Sequence, residues 1–348
     1  MNSTTREARR IYRSLTYKKV LLIVGLSIMI LVSTLVNLFV GNADLTLGET
    51  LKGLVMKADA VSNFVIWDLR MPVAFSAVFI GGALGIGGCE MQTVLRNPMA
   101  SSYTLGLSSA ASFGAALAIV LRISIVPGVG NLLVTLNSFV FSLTAAVLIH
   151  AFSRKKDSDR STLILFGIAL NFLFSALTQI LQYVANESDL QSLVFWSFGS
   201  LTKVGWPKLW VIIIVTLLCL AYFGKNAWKL TAMALSDESA QSLGVDVQKT
   251  RRNTILVIAF LTATAVSFAG TIGFVGLVSP HIARILCGED QRYFLVTSAL
   301  VGSLLLSVAS ILSKTLVPGT LIPVGLVTSI IGIPFFVMLI FKKKKGYV

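Results

Sequence analysis

Ten apolar runs dominate the chain, at residues 20–40, 72–95, 103–121, 131–152, 161–185, 207–224, 253–270, 273–288, 293–313 and 321–341. A hydrocarbon layer about 30 Å thick is crossed by roughly 20 apolar residues in a helix. Within that layer each backbone N–H and C=O must be bonded inside its own segment, so runs of this length become helices. The pattern predicts an all-α, polytopic membrane protein with about ten transmembrane helices. Composition agrees: 55% of residues are hydrophobic and 13% charged, against about a quarter charged in soluble domains. This excludes a disordered chain, an ordinary cytosolic enzyme and a disulfide-stapled secreted fold. The stretch 253–288 reads as one long helix or two, and Gly270, Gly273, Gly276 and Pro280 favour a break. The first run is too long for the apolar core of a cleaved signal, so it reads as an uncleaved span.

The few charges are lopsided, 29 Lys and Arg against 15 Asp and Glu, a net of +14. A nucleic-acid binder spreads such charge over a water-soluble surface; here it sits between apolar runs, and its partner is the bilayer. With ten spans both termini lie on one side. That side holds the N-terminal arm, Arg96, Arg154–Arg160, Lys225–Arg252, Arg284, Arg292 and Lys342–Lys345, 22 of the 29 basic residues. The other holds Lys52, Lys57, Arg70, Arg122, Lys203, Lys208 and Lys314. Basic residues mark the cytoplasmic side, so both termini are expected there. The chain divides into a cytoplasmic arm (1–19), a ten-span domain (20–341) with its longest cytoplasmic loop at 225–252, and a basic tail (342–348).

Chemistry-bearing constellations are missing. Cys89, Cys219 and Cys287 form no Cys-x-x-Cys pair, and His150 and His281 are too few for a metal cluster. No Gly-Lys-Ser/Thr phosphate loop occurs, nor a paired-carboxylate or Ser/His/Asp set. We expect no catalytic residue, no metal site and no cofactor. Glu90 is the notable acid within a span, near the cytoplasmic end of the second; such groups are functional candidates by default, but its end position also permits snorkelling, and its role stays open.

Small and polar residues recur at helical spacing. Gly81, Gly85 and Gly88 make a smooth stripe on the second span, suited to close helix contact. Asn171, Ser175, Thr178 and Gln182, with Gln179 beside them, make a polar arc on the fifth span, read as lining a pathway rather than gluing helices. Ser303, Ser307, Ser310 and Lys314 repeat the spacing on the ninth span and read as packing. Gly88 precedes Pro98 by the interval that separates Gly270 from Pro280, in spans of opposite direction. An inverted five-plus-five repeat would produce that echo. In the 225–252 loop, Ser236 suits the N-cap of a short helix, Asp237 and Glu238 its first turn, and Gly244 its end. That helix exposes Glu238 and buries Ala240 or Leu243; a protein partner fits its acidic start better than anionic lipid.

From Leu69 onward these residues resemble the FecCD family of ABC importer permeases. The resemblance rests on Arg70-Met71-Pro72, Met91-Gln92, Arg96-Asn97-Pro98-Met99-Ala100, Leu105-Gly106, Trp196-Ser197-Phe198-Gly199-Ser200 and Asp237-Glu238-Ser239-Ala240 with Leu243-Gly244-Val245. It continues through Gly273-Phe274-Val275-Gly276-Leu277-Val278-Ser279-Pro280-His281-Ile282-Ala283-Arg284, Pro323-Val324-Gly325 and Gly332-Ile333-Pro334-Phe335-Phe336. Departures are Val73 in place of a second arginine, Ser310 in place of an acid, Lys314 in place of arginine, and Leu235-Ser236-Asp237-Glu238 where the family has Leu-Gly-Glu.

The resemblance implies the transmembrane subunit of an ATP-driven importer for an iron-siderophore or related metal chelate, with haem or cobalamin as alternative cargo. It implies a cytoplasmic ATP-binding subunit docked on Asp237, Glu238, Ala240, Leu243 and Gly244. An extracytoplasmic binding protein would be received by Arg70 and Lys314, a second permease chain would pair with this one, and the setting would be a bacterial cell membrane. Asn97, Pro98, Pro280, His281 and Arg284 belong to helix-break motifs, His281 not being an iron ligand. The rival is an ion-coupled secondary transporter, which needs a buried acid such as Glu90.

Overall fold

The computed structural model describes residues 3–41, 45–123, 125, 132–154, 160–317 and 319–344. Most of the tail and part of the Arg154–Arg160 loop lie outside the described residues. In chain order the elements are α1 (Ser3–Phe39), α2 (Leu47–Leu54), α3 (Ala60–Phe64), a π-helical turn Val65–Arg70, α4 (Met71–Leu95), α5 (Leu107–Val120), α6 (Leu133–Phe152) and α7 (Arg160–Val184). Then come α8 (Glu187–Ser197), a 3-10 turn Leu201–Lys203, α9 (Trp206–Lys225), α10 (Ala227–Leu235), α11 (Asp237–Ser242), α12 (Val247–Ala269), α13 (Val275–Cys287), α14 (Gln291–Thr315) and α15 (Val324–Lys344). No strand occurs among the described residues.

Each of the ten apolar runs becomes one helix. Seven are long and apolar enough to cross a membrane; α5, α13 and the apolar part of α15 are shorter. The 14 residues of α5 rise only about 21 Å at 1.5 Å per residue, so it is a partial span held among longer neighbours. The stretch 253–288 is two helices, parted after Gly270, whose φ of +79° suits a residue without Cβ. The surface helices α2, α3, α8 and α10 lie outside the ten apolar runs. Local caps explain two of them: Thr46 and Glu49 bond each other's backbone in a capping box before α2, and Asn186 accepts the Asp189 N–H before α8.

Helix α4 is buried along nearly all of its length and lies among α14, α13, α12 and α9. A helix apolar all round belongs at a centre, and glycine lets neighbours reach its backbone. A Cβ on Gly81 would strike the Gly302 carbonyl, and one on Gly85 the Ser298 carbonyl. The Ser303 hydroxyl donates to the Val78 carbonyl at 2.7 Å. The glycine stripe and the serine stripe of α14 are thus two faces of one close-packed seam.

Pro98 and Pro280 are not equivalent breaks. Pro98 lies in the turn after α4, whereas Pro280, His281 and Arg284 sit inside α13, with the break before it at 270–274. Proline has no N–H for the carbonyl four residues back, which here is Gly276. That oxygen lies against Gly88 of α4, where no side chain would fit. The two Gly–Pro intervals thus end on unlike features, and Gly88 marks a close contact between α4 and α13.

Candidate translocation and coupling sites

The motif residues gather in three places. On the side opposite α11, Gly199 (φ +67°) lies against the Thr271 carbonyl, Ser200 N–H donates to Ala269 O at 2.7 Å, and the Thr271 hydroxyl donates to Ser197 O. Gly325 packs on the Phe198 and Thr271 carbonyls. Three segments distant in sequence thereby make one backbone knot that holds the 270–274 break open.

On the α11 side, a cavity of about 780 Å³ is lined by Gln92, Asn97, Met99, Leu277, His281, Arg284 and Phe336, among others. Gln92 donates to Leu277 O at 3.4 Å, while its amide oxygen is buried without a partner among the described residues. Arg284 pairs with Glu289 at 2.9 Å and lies over the Phe294 ring. Asn97 caps Met99 N–H at 2.9 Å, so it shapes the turn, with Pro98 beside it. The walls are largely apolar with a few convergent polar groups, as ligand passages are.

The third place is α11. Ser236 caps it by accepting the Ser239 N–H at 2.9 Å, and Gly244 ends it with φ +80°. Ala240 is fully buried; Glu238 and Leu243 are exposed. The Glu238 carboxyl is held below its ordinary value by its own backbone N–H first and then by the Ser236 hydroxyl. Asp237 faces inward. It takes two hydrogen bonds from Arg251, at 2.9 and 2.8 Å, and pairs with Arg160. Burial alone would raise its pKa, but the hydrogen bonds from Arg251 and Arg160 outweigh that and lower it. Its carboxylate stays charged throughout the physiological range, and it is less exposed than Glu238.

Arg70 and Lys314 also turn inward. Arg70 is 5% exposed and donates to Leu38 O at 2.9 Å and Phe39 O at 3.3 Å. The Lys314 ammonium donates to Asn37 O at 3.0 Å, Asn37 Oδ1 at 2.5 Å and Val40 O at 3.3 Å. The last carbonyls of a helix lack intrahelical donors and carry its negative dipole end; these two cations satisfy the end of α1. The sequence reading placed both heads at a protein surface, whereas the structure uses them to hold the first span. Lys314 nevertheless borders a cleft of about 230 Å³ that also contains Lys203, Ser200 and Ser313.

The polar arc of α7 is split by the packing. Leu163, Gly167, Leu170, Phe174 and Leu181 make its buried seam. Asn171, Ser175, Thr178 and Gln182 border that seam half-buried, and Gln179 is exposed. Thr178 satisfies its hydroxyl on Phe174 O at 2.7 Å. None of these residues lines the 780 Å³ cavity.

Glu90 is fully buried in α4 with both carboxyl oxygens lacking a partner among the described residues, and it does not line the cavity. An unsatisfied buried polar group costs about 1–3 kcal/mol. Glu90→Met is accordingly expected to raise the thermal stability of the solubilised protein and leave uptake unchanged. Loss of uptake in that variant, with the protein intact, would make Glu90 part of the transport cycle.

The sequence profile of the FecCD transport family matches residues 29–342. A permease protein of an ABC transporter from Methanocaldococcus jannaschii is 35% identical over 96% of this chain and 98% of its own length. The hemin transport system permease of Yersinia pestis is 36% identical over 80% of this chain and 84% of its own. A solved inward-facing metal-chelate type ABC transporter superposes with a TM-score of 0.81 at 30% identity, covering 92% of this chain and 98% of that one. The elements that these matches span include the α4–α14 seam, the 270–274 break and the α11 loop. This chain belongs to the FecCD transport family: it is a multi-pass membrane protein and the permease subunit of an ABC importer.

Proposed function

We propose that this permease carries an iron-siderophore or related metal chelate across a bacterial cell membrane, driven by an ATP-binding subunit docked on the α10–α11 loop. The observation that carries the reading is the exposed, capped helix α11. It displays Glu238 and Leu243 while its first residue is tied to the transmembrane core. Trp228 and Leu235, both largely exposed, extend that surface along α10. By the excess of basic residues this is the cytoplasmic side, with both termini on it.

A binding protein delivers cargo on the opposite face, over the cleft that contains Lys203 and Lys314. The half-open polar arc of α7 is completed by a second permease chain, identical or paralogous, so that the route runs between the two. Cargo leaves through the cavity beside Asn97, His281 and Arg284.

Glu238→Arg tests the docking role. Reversing one charge at an interface costs several kcal/mol when like charges meet. The variant is expected to reach the membrane in normal amount, to lose ATPase association, and to take up less than about a tenth of the wild-type cargo. Normal association and uptake would remove α11 from the interface. Competition of labelled ferric chelate uptake by haem, cobalamin or an oxyanion identifies the cargo class. Uptake that persists without ATP and collapses with the proton gradient would favour ion coupling instead.

A further inference from the structure

The carboxylate of Asp237, at the start of α11, bonds arginines at the start of α7 and in α12. Arg160 is the first residue of α7, the helix with the polar arc. Arg251, in the second turn of α12, is the largest fully buried side chain among the described residues, at 1% exposure. Its guanidinium reaches Asp237 with one nitrogen, and its Nε donates to Val94 O at 3.2 Å.

Val94 lies in the last turn of α4, and the residue four positions on is Pro98. α4 ends at Leu95, so the Val94 carbonyl is one of the last-turn carbonyls without a helical donor, and Val94 is buried. Arg251 supplies that donor from α12. The turn after Pro98 forms one wall of the 780 Å³ cavity. The start of α11, the start of α7 and the end of α4 are therefore fastened through one charged group, with side-chain exposures of 29% for Asp237, 19% for Arg160 and 2% for Arg251.

A buried ion pair adds little net stability over an apolar replacement, but breaking one side leaves a charge uncompensated. Such a group fixes geometry rather than supplying energy. The network also differs from a docking contact, because its oxygens are already taken up by arginines of the same chain.

We infer that Asp237 is a positioning residue which transmits displacement of the docked ATPase to α4 and α7 through Arg251 and Arg160. The inference rests on the ATPase docking on α11. It assigns to Asp237 a different task from that of its neighbour Glu238: the one carries motion inward, the other meets the partner.

The test uses the full permease–ATPase complex in proteoliposomes loaded for uptake. Three quantities are read: co-purification of the ATPase, ATP hydrolysis, and cargo moved per ATP. Asp237→Asn is expected to keep the ATPase bound and hydrolysing, while cargo moved per ATP falls about tenfold. Asp237→Glu, which keeps the charge, is expected to restore most of that ratio. Arg160→Gln cuts only the α7 branch and leaves the buried Arg251–Asp237 pair intact; it is expected to lower the ratio by about fivefold.

A wild-type ratio in Asp237→Asn overturns the inference, as does loss of ATPase binding in that variant with the fold intact, which would make Asp237 a docking contact. Should Asp237→Asn fail to fold, a wild-type ratio in Arg160→Gln overturns it instead. A wild-type chain that binds no ATPase removes the docking reading itself, an outcome visible before any variant is examined.

Discussion

Gly85→Val is expected to abolish the folded permease. At this position α4 lies backbone to backbone against α14, and any Cβ would strike the carbonyl of Ser298. In lipid there is no solvent-driven gain from bringing two apolar helices together, so association depends on close van der Waals packing. A branched side chain there must push α14 away along a buried seam that also includes Gly81, Gly302 and Ser303. The expected loss is about 3 kcal/mol or more, the upper end of the overpacking range. It is measured as a fall in apparent melting temperature and in the monodisperse fraction after detergent extraction. Gly224 sits in α9 with nothing near its missing Cβ. Gly224→Ala is expected to gain up to about 1 kcal/mol from helix propensity alone. Equal melting temperatures for Gly85→Val and the wild type would show that the seam is not close-packed.

The second large effect is expected from Lys314→Glu. The ammonium closes the end of α1 by bonding the Asn37 side chain and two carbonyls of the last turn. A carboxylate there meets lone pairs and the negative end of a helix dipole. Placing an uncompensated charge at a largely buried site costs about 3–5 kcal/mol. Lys314→Met keeps the stem and loses only the charged hydrogen bonds, about 1.5–3 kcal/mol. Both variants should melt earlier and become more susceptible to protease after α1, in the order Glu worse than Met. A residue serving only to receive a binding protein would behave otherwise, with melting unchanged and only docking weakened.

Much of the architecture is legible in the residues taken in order. The helices formed from the apolar runs agree with those runs to within a few residues except where a helix extends into polar sequence, as α1 does into its basic arm. The capped helix α11 follows from Ser236 and Gly244. The small surface helices are harder to see, because each runs for only 5 to 11 residues, too short for hydrophobic periodicity to become a clear signal. The glycine stripe shows in the sequence as a surface without its partner: Gly81 and Gly85 announce close approach, while Gly302 and Ser298 become their neighbours only through the fold.

The site residues divide in the same way. Glu238 is on the surface, where its place in a capped first turn puts it. Asp237, one residue earlier and of the same charge type, is turned inward, and one step of about 100° around the helix separates an exposed group from an internal joint. His281 and Arg284 come to line a cavity with Gln92 and Asn97, although Pro280 looked like the break and is inside the helix.

What the sequence determined by itself is the position and helical nature of the apolar segments, together with the charge asymmetry that predicts their orientation. These depend on the length of apolar runs and on backbone groups that must bond within their own segment in a medium without water. Only the tertiary structure decided which charges are free to act. Arg70 meets Leu38 at a sequence separation of 32, Arg251 meets Val94 at 157, and Lys314 meets Asn37 at 277. A charge is spent or available according to the acceptor beside it, and those acceptors are orphan carbonyls at helix ends that only the folded chain brings within reach.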